Sequence, residues 1–116
     1  MDNEKVFAVS FAKVYPMLIA KAERKGRTKR EVLEVTAWLT GYTYEQIEAL
    51  LESDLSYGDF FRRAPALNPN RTLIKGSICG IKVELIEDPL MQNIRYLDKL
   101  VDELAKGKAM DKILRK

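Results

Sequence analysis

The chain has 116 residues, 47% of them apolar and 32% charged, with a formal net charge of +3. That balance excludes a disordered chain, and the longest apolar runs are too short to span a membrane. The single cysteine, Cys79, excludes an internal disulfide framework, and the lack of any histidine removes the usual zinc sites and every His-dependent triad or general base.

The N-terminus is acidic at once (Asp2, Glu4) and holds no uninterrupted apolar stretch of signal length, so no secretory signal is read. One free thiol fits a reducing, cytoplasmic setting. The first periodic segment is Phe11, Val14, Tyr15, Leu18, Ile19 and Ala22, one apolar stripe on a helix, with Ser10 as its N-cap. Pro16 falls inside that stripe. Either the helix runs through it at a cost of about 3 kcal/mol, or it begins at Pro16. Gly26, after Arg24 and Lys25, ends the segment.

Thr28-Lys29-Arg30-Glu31 is a capping box that opens a second helix to about Thr40, with Val32, Val35, Thr36 and Leu39 on one face and Leu33 beside it. Arg30, Glu31 and Glu34 lie opposite, and Trp38 falls among them. Gly41 stops this helix. Thr43-Tyr44-Glu45-Gln46 is another capping box, predicting a third helix to about Ser53 with Tyr44, Ile47, Leu50 and Leu51 inward and Glu45, Glu48 and Glu52 outward. Ser56 caps a short helix with Tyr57, Phe60 and Phe61. Residues 64–70, with two prolines, form a loop.

Residues 71–87 are harder to read. Ile81, Val83 and Leu85 alternate with Lys82 and Glu84 as in a short strand, whereas Asn68 or Asn70 offers a cap for a short helix through Leu73, Ile74 and Ile78. Irregular structure is expected there, with room for a short hairpin. Asp88-Pro89 opens the clearest helix. Leu90, Ile94, Leu97, Val101 and Leu104 recur at 4-3 spacing, Leu100 flanks them, and Gly107 ends the run. A short basic tail helix carries Met110, Ile113 and Leu114. The fold class is therefore mainly α. The expectation is one domain over 1–116, a compact bundle of five or six helices with an αα-hairpin and room for a short β-hairpin near residues 72–86.

Charge is segregated along the chain. Residues 1–43 carry +3, 44–59 carry −5, 60–83 carry +5, 84–103 carry −4 and 104–116 carry +4. The plain expectation is mutual screening in the fold. The alternative is a polyanion surface from segments 21–30 and 106–116, with Lys21, Arg24, Lys25, Arg27, Lys29, Arg30, Lys108 and Lys112 as contacts. Residues 28–53 have the layout of a helix-turn-helix, with Ala37 small at the helix approach and Gly41 in the turn. Chemistry opposes DNA reading by the second of these helices, because Glu45, Glu48 and Glu52 would face phosphates. A plain core αα-hairpin is the expected reading. Trp38, with Arg30 and Glu34 on the same side, is the candidate interaction surface, either covered by a neighbouring helix or free for a subunit or partner.

Cys79 is the only soft nucleophile, without a histidine to activate it, and a buried, inert thiol is expected. Two of the clustered Glu84, Glu87 and Asp88 could hold Mg²⁺, but capping and dipole pairing explain them more simply. GSICG (76–80) lacks the ending of a phosphate-binding loop, and no cofactor is expected. The stretches KAERKGRTKREV (21–32), WLTGYTYEQIEALLE (38–52), GSICG (76–80) and EDPLMQNIRYLDKLVDELAKGKAMDKILR (87–115) resemble the bacterial family catalogued as domain of unknown function 2200. The resemblance covers nearly the whole chain and implies a bacterial, cytosolic single domain, with no activity or catalytic residue attached. The functional expectation is a non-enzymatic, self-associating interaction module. A nucleic-acid-associated protein is the alternative, and an enzyme using Cys79 or the carboxylates at 84–88 ranks last.

Overall fold

Helix starts in this chain are fixed by side chains that satisfy otherwise orphaned backbone donors. In the computed structural model, which describes residues 3–115, both capping boxes form. The Glu31 amide donates to Thr28 Oγ1 (3.1 Å) while the Thr28 amide donates to Glu31 Oε1 (2.9 Å). Thr43 and Gln46 repeat the exchange at 3.1 and 2.9 Å. Ser56 Oγ accepts from the Asp59 amide, and Asp88 Oδ1 accepts from the amides of Leu90 and Met91. Asp2 of the acidic N-terminus and Lys116 of the basic tail lie outside the described residues.

Seven α-helices are present among the described residues: α1 (Asn3–Ala8), α2 (Phe11–Glu23), α3 (Lys29–Thr40), α4 (Tyr44–Leu50), α5 (Tyr57–Arg62), α6 (Pro89–Ala105) and α7 (Met110–Ile113). That exceeds the five or six expected, because α1 is too short to show a period in sequence. Strands β1 (Ser77–Ile78) and β2 (Ile81–Lys82) pair antiparallel, with Ser77 opposite Lys82 and Ile78 opposite Ile81. The fold is mostly helical, with this one small hairpin.

Several local expectations need correction. Ser10 occupies the N-cap of α2 without a side-chain cap, and its backbone pairs across to Ser56. The Tyr57 amide donates to Val9 O (2.6 Å) and the Phe11 amide to Leu55 O (2.9 Å), which fastens the α1–α2 junction to the start of α5. Of the two alternatives at Pro16, the first holds, since α2 includes the proline within its span. α4 stops at Leu50, three residues early, and Ser53 Oγ turns back to Leu50 O (2.7 Å). Asn68 does cap a helical turn, but it is a 3₁₀ segment, Pro69–Leu73, that stops short of Ile74 and Ile78. The alternating pattern at 81–85 is strand only at Ile81–Lys82. Val83–Leu85 coils into a second 3₁₀ turn, so Val83 is buried while Ile81 and Leu85 are exposed. α7 is a single turn that ends at Ile113, before Leu114.

α6 is the centre of the packing. It touches α2, α3, α5, α7 and β1, and Leu97, Leu100, Val101 and Leu104 are fully buried. Each such side chain is worth roughly 1.5–3 kcal/mol of burial. A ring stack completes the core: Phe11 lies 4.1 Å from Phe60 and 4.8 Å from Tyr15, and Tyr42 lies 4.6 Å from Phe60. Tyr42 also donates its hydroxyl to Phe60 O (2.6 Å), and Tyr15 shares a hydrogen bond with Thr36 Oγ1 (2.8 Å). Gly41 closes α3 with φ +81°, and a Cβ there would meet Ala66 backbone atoms at 2.8–2.9 Å, so the turn of the αα-hairpin needs glycine on both counts.

Candidate functional site

The α3 residues singled out from sequence do not form a free apolar patch. Trp38 is half-buried and packs against the core. Arg30 lies over the Tyr44 ring, 4.9 Å from its centroid, and Glu34 is partly covered. Between α3 and α4 runs an open, shallow groove with Leu33 at its floor and Lys29, Glu45 and Glu48 at its sides.

The basic segments do come together. Arg27 Nη1 donates to Lys108 O (2.8 Å) and Leu104 O (3.3 Å), joining the α2–α3 turn to the turn after α6. Much of their charge is already matched. Lys21 pairs with Asp102 (3.3 Å), Arg27 with Glu31 (2.8 Å), Lys29 with Glu48 (2.8 Å) and Lys108 with Glu103 (3.4 Å). The screening expected between charge blocks is therefore what the fold builds. Arg24, Lys25 and Lys112 are exposed and make no ion pair among the described residues.

Cys79 is exposed, contrary to the buried thiol expected. It sits with φ +52° beside Gly80 at φ +78°, the two central positions of the β1–β2 turn. A two-residue hairpin turn of this kind demands left-handed backbone at both positions, and that turn holds the side chain outside the core. The carboxylates at 84–88 have separate duties. Glu84 Oε1 accepts from the Gly76 amide (3.1 Å), while Asp88 caps α6. Among the described residues no three of Cys, Asp and Glu are placed to hold a metal ion.

One concave site was not anticipated. α1, α2, α5 and α6 border a half-open cavity of about 630 Å³. Its walls are Val6, Val9, Val14, Met17, Tyr57 and Ile94, and its polar groups are Lys5, Arg95 and Asp98. Val9 and Met17 are 40% and 61% exposed, two of the five large apolar side chains that stay in solvent among the described residues. Arg95 Nη1 donates to Asp98 Oδ2 (2.9 Å), a pair about four-fifths withdrawn from water. Burial pushes the Asp98 carboxyl above its usual range, against the opposing pull of Arg95. The Tyr57 hydroxyl is buried and has no hydrogen-bond partner, the only such side-chain atom among the described residues. Arg95 also borders a second cavity of about 390 Å³, next to Glu87, Asp88 and Met91.

Sequence offered one faint signal for this site. Met17 lies outside the apolar stripe of α2, where a surface helix ordinarily places polar residues.

No helix of the described residues is long and apolar enough to cross a membrane. A crystal structure of the uncharacterized protein SP1917 shares this fold, with a TM-score of 0.93 and 54% sequence identity over 98% of this chain and 93% of that one. No curated protein matches the chain. Residues 5–115 match the family described as "Uncharacterized protein conserved in bacteria (DUF2200)", and the chain belongs to that bacterial family.

Proposed function

We propose that the chain is a cytosolic, non-enzymatic binding module, and that it works through the cavity between α1, α2 and α6 rather than through the Trp38 side of α3. The observation that carries this is a concave apolar site of about 630 Å³ lined by a partly buried ion pair. Ligand sites are typically of this size and composition, with apolar walls and a few fixed polar groups. Small apolar molecules are the occupants such a shape accepts.

An environment-sensitive anilinonaphthalene dye tests the reading. It should bind saturably, one dye per chain, and Met17→Glu should remove the signal while circular dichroism and Tm stay unchanged. Met17 is exposed enough for a carboxylate to be solvated there. Dye binding that survives in the variant would overturn the proposal. So would a dimer in sedimentation that the same variant dissociates, because a second copy of the chain would then be the occupant.

A second reading rests on a separate observation. The hydrogen bonds from Arg27 to Lys108 and Leu104 join segments 21–30 and 106–115, and the exposed Arg24, Lys25 and Lys112, without an ion pair among the described residues, support a basic surface for nucleic acid. The helix-turn-helix-like hairpin would not do the reading, since α4 has seven residues and turns Glu45 and Glu48 outward. This reading requires binding to labelled duplex or single strands that weakens steeply with salt and disappears when the three cations are reversed to Glu. No binding at low salt dismisses it.

A further inference from the structure

Resting on the cavity reading, we infer that the molecule bound there is a small monocarboxylate with an apolar body, its carboxylate held by Arg95 and its body lying along Val6, Val14, Met17 and Ile94.

The argument is one of complementarity. The cavity presents more donors than acceptors. Arg95 uses Nη1 on Asp98 Oδ2 (2.9 Å), and its other guanidinium N–H groups have no partner among the described residues. Guanidinium offers five N–H donors in a planar fork that matches a carboxylate edge to edge. Lys5 adds a second cation to the lining. The Tyr57 ring lines the wall, and its hydroxyl is buried behind it and adds no acceptor to the cavity. Against these stands one acceptor, Asp98, already tied to Arg95. Glu87 and Asp88 border the second cavity with Arg95, but neither forms an ion pair with it among the described residues, and Asp88 is engaged by the amides of Leu90 and Met91. An incoming anion would therefore meet a net positive, donor-rich wall, whereas a cation would meet Lys5 and Arg95. The remaining walls are aliphatic or aromatic, so the rest of the ligand must be apolar.

The test compares three probes of equal chain length below their micellar concentrations: decanoate, decanol and decyltrimethylammonium. Calorimetry at neutral pH gives affinity and stoichiometry, and amide chemical shifts locate the site. Decanoate should bind one to one, about tenfold or more tighter than decanol, with the ammonium weakest. Shifts should concentrate at Val6, Val14, Met17 and Ile94. Arg95→Gln should reduce decanoate to the level of decanol and leave decanol unchanged. Should Arg95→Gln fail to fold, Lys5→Gln, at an exposed position, should give a smaller loss in the same direction. Decanol binding as tightly as decanoate would overturn the carboxylate assignment while leaving the apolar cavity reading intact. Absence of binding by all three probes would overturn both.

Discussion

A buried hydroxyl without a partner is costly, because it gives up its bonds to water and receives none in return. Tyr57 carries that cost beside an aromatic core in which the hydroxyls of Tyr15 and Tyr42 are hydrogen-bonded. Burial pushes the Tyr57 phenol well above its ordinary range, so it stays a neutral donor. Tyr57→Phe should therefore stabilise the protein by about 1 kcal/mol, read by urea unfolding. A destabilised variant would mean that the hydroxyl is already satisfied. None of this is legible in the sequence. Tyr57 reads there simply as an apolar residue of a capped helix, and nothing local reveals which hydroxyl lacks a partner. Cys79 misleads for the opposite reason. An apolar neighbourhood suggests burial, but the pairing of Ser77 with Lys82 forces the thiol into the two-residue turn.

Elements were legible in proportion to their length and their caps. α3, α4 and α6 announce themselves by Thr28–Glu31, Thr43–Gln46 and Asp88-Pro89, and their starts fall where those signals stand. α1 has six residues, fewer than two turns, so no periodicity can mark it. Yet α1 supplies Lys5 and Val6 to the cavity, which is why the site stayed hidden along with it. What holds α1 is a close approach to α5. A Cβ on Gly58 would come within 2.8 Å of Phe7 Cβ and 3.2 Å of its Cα. The backbone at Gly58 is not left-handed, so alanine there would be strained by packing alone. Gly58→Ala should cost about 1–3 kcal/mol and displace α1 while leaving α6 in place. Amide hydrogen exchange should speed up over residues 3–8, with protection at Leu97–Leu104 retained, and dye binding in the cavity should weaken with it. Unchanged exchange over α1 would show that the helix is held by something other than this contact.

At the scale of the whole molecule, some ion pairs join distant charge blocks, as Lys21–Asp102 and Lys29–Glu48 do, beside several local ones. Asp102 is the clearest hub, facing Lys21 at 3.3 Å, Lys106 at 3.1 Å and Lys99 at 3.9 Å. Glu103 does the same for the tail, with Arg115 at 2.6 Å and Lys108 at 3.4 Å. Such long-range pairing could be expected from block charges that nearly cancel, but not which residues would meet. Two carboxylates on α6 then report the pH dependence with opposite signs. Burial alone would raise the Asp102 carboxyl, but the hydrogen bond and charge of Lys106 and Lys21 outweigh it and hold it below its usual range. Its contribution to stability is thus present above the unfolded carboxylate range and lost as pH falls through the folded value. Asp98 is raised, chiefly by burial, so its contribution is present at low pH and lost as pH rises through its folded value. Urea unfolding from acid to neutral pH should separate the two. Asp102→Asn should cost about 1 kcal/mol at neutrality, with the gap from wild type closing as the solution is acidified. Asp98→Asn should show the reverse slope, comparing more favourably with wild type as pH rises. Parallel slopes would mean that the two carboxylates feel the same surroundings, and would remove the distinction between a charge hub that binds the helices together and a buried pair that lines a cavity.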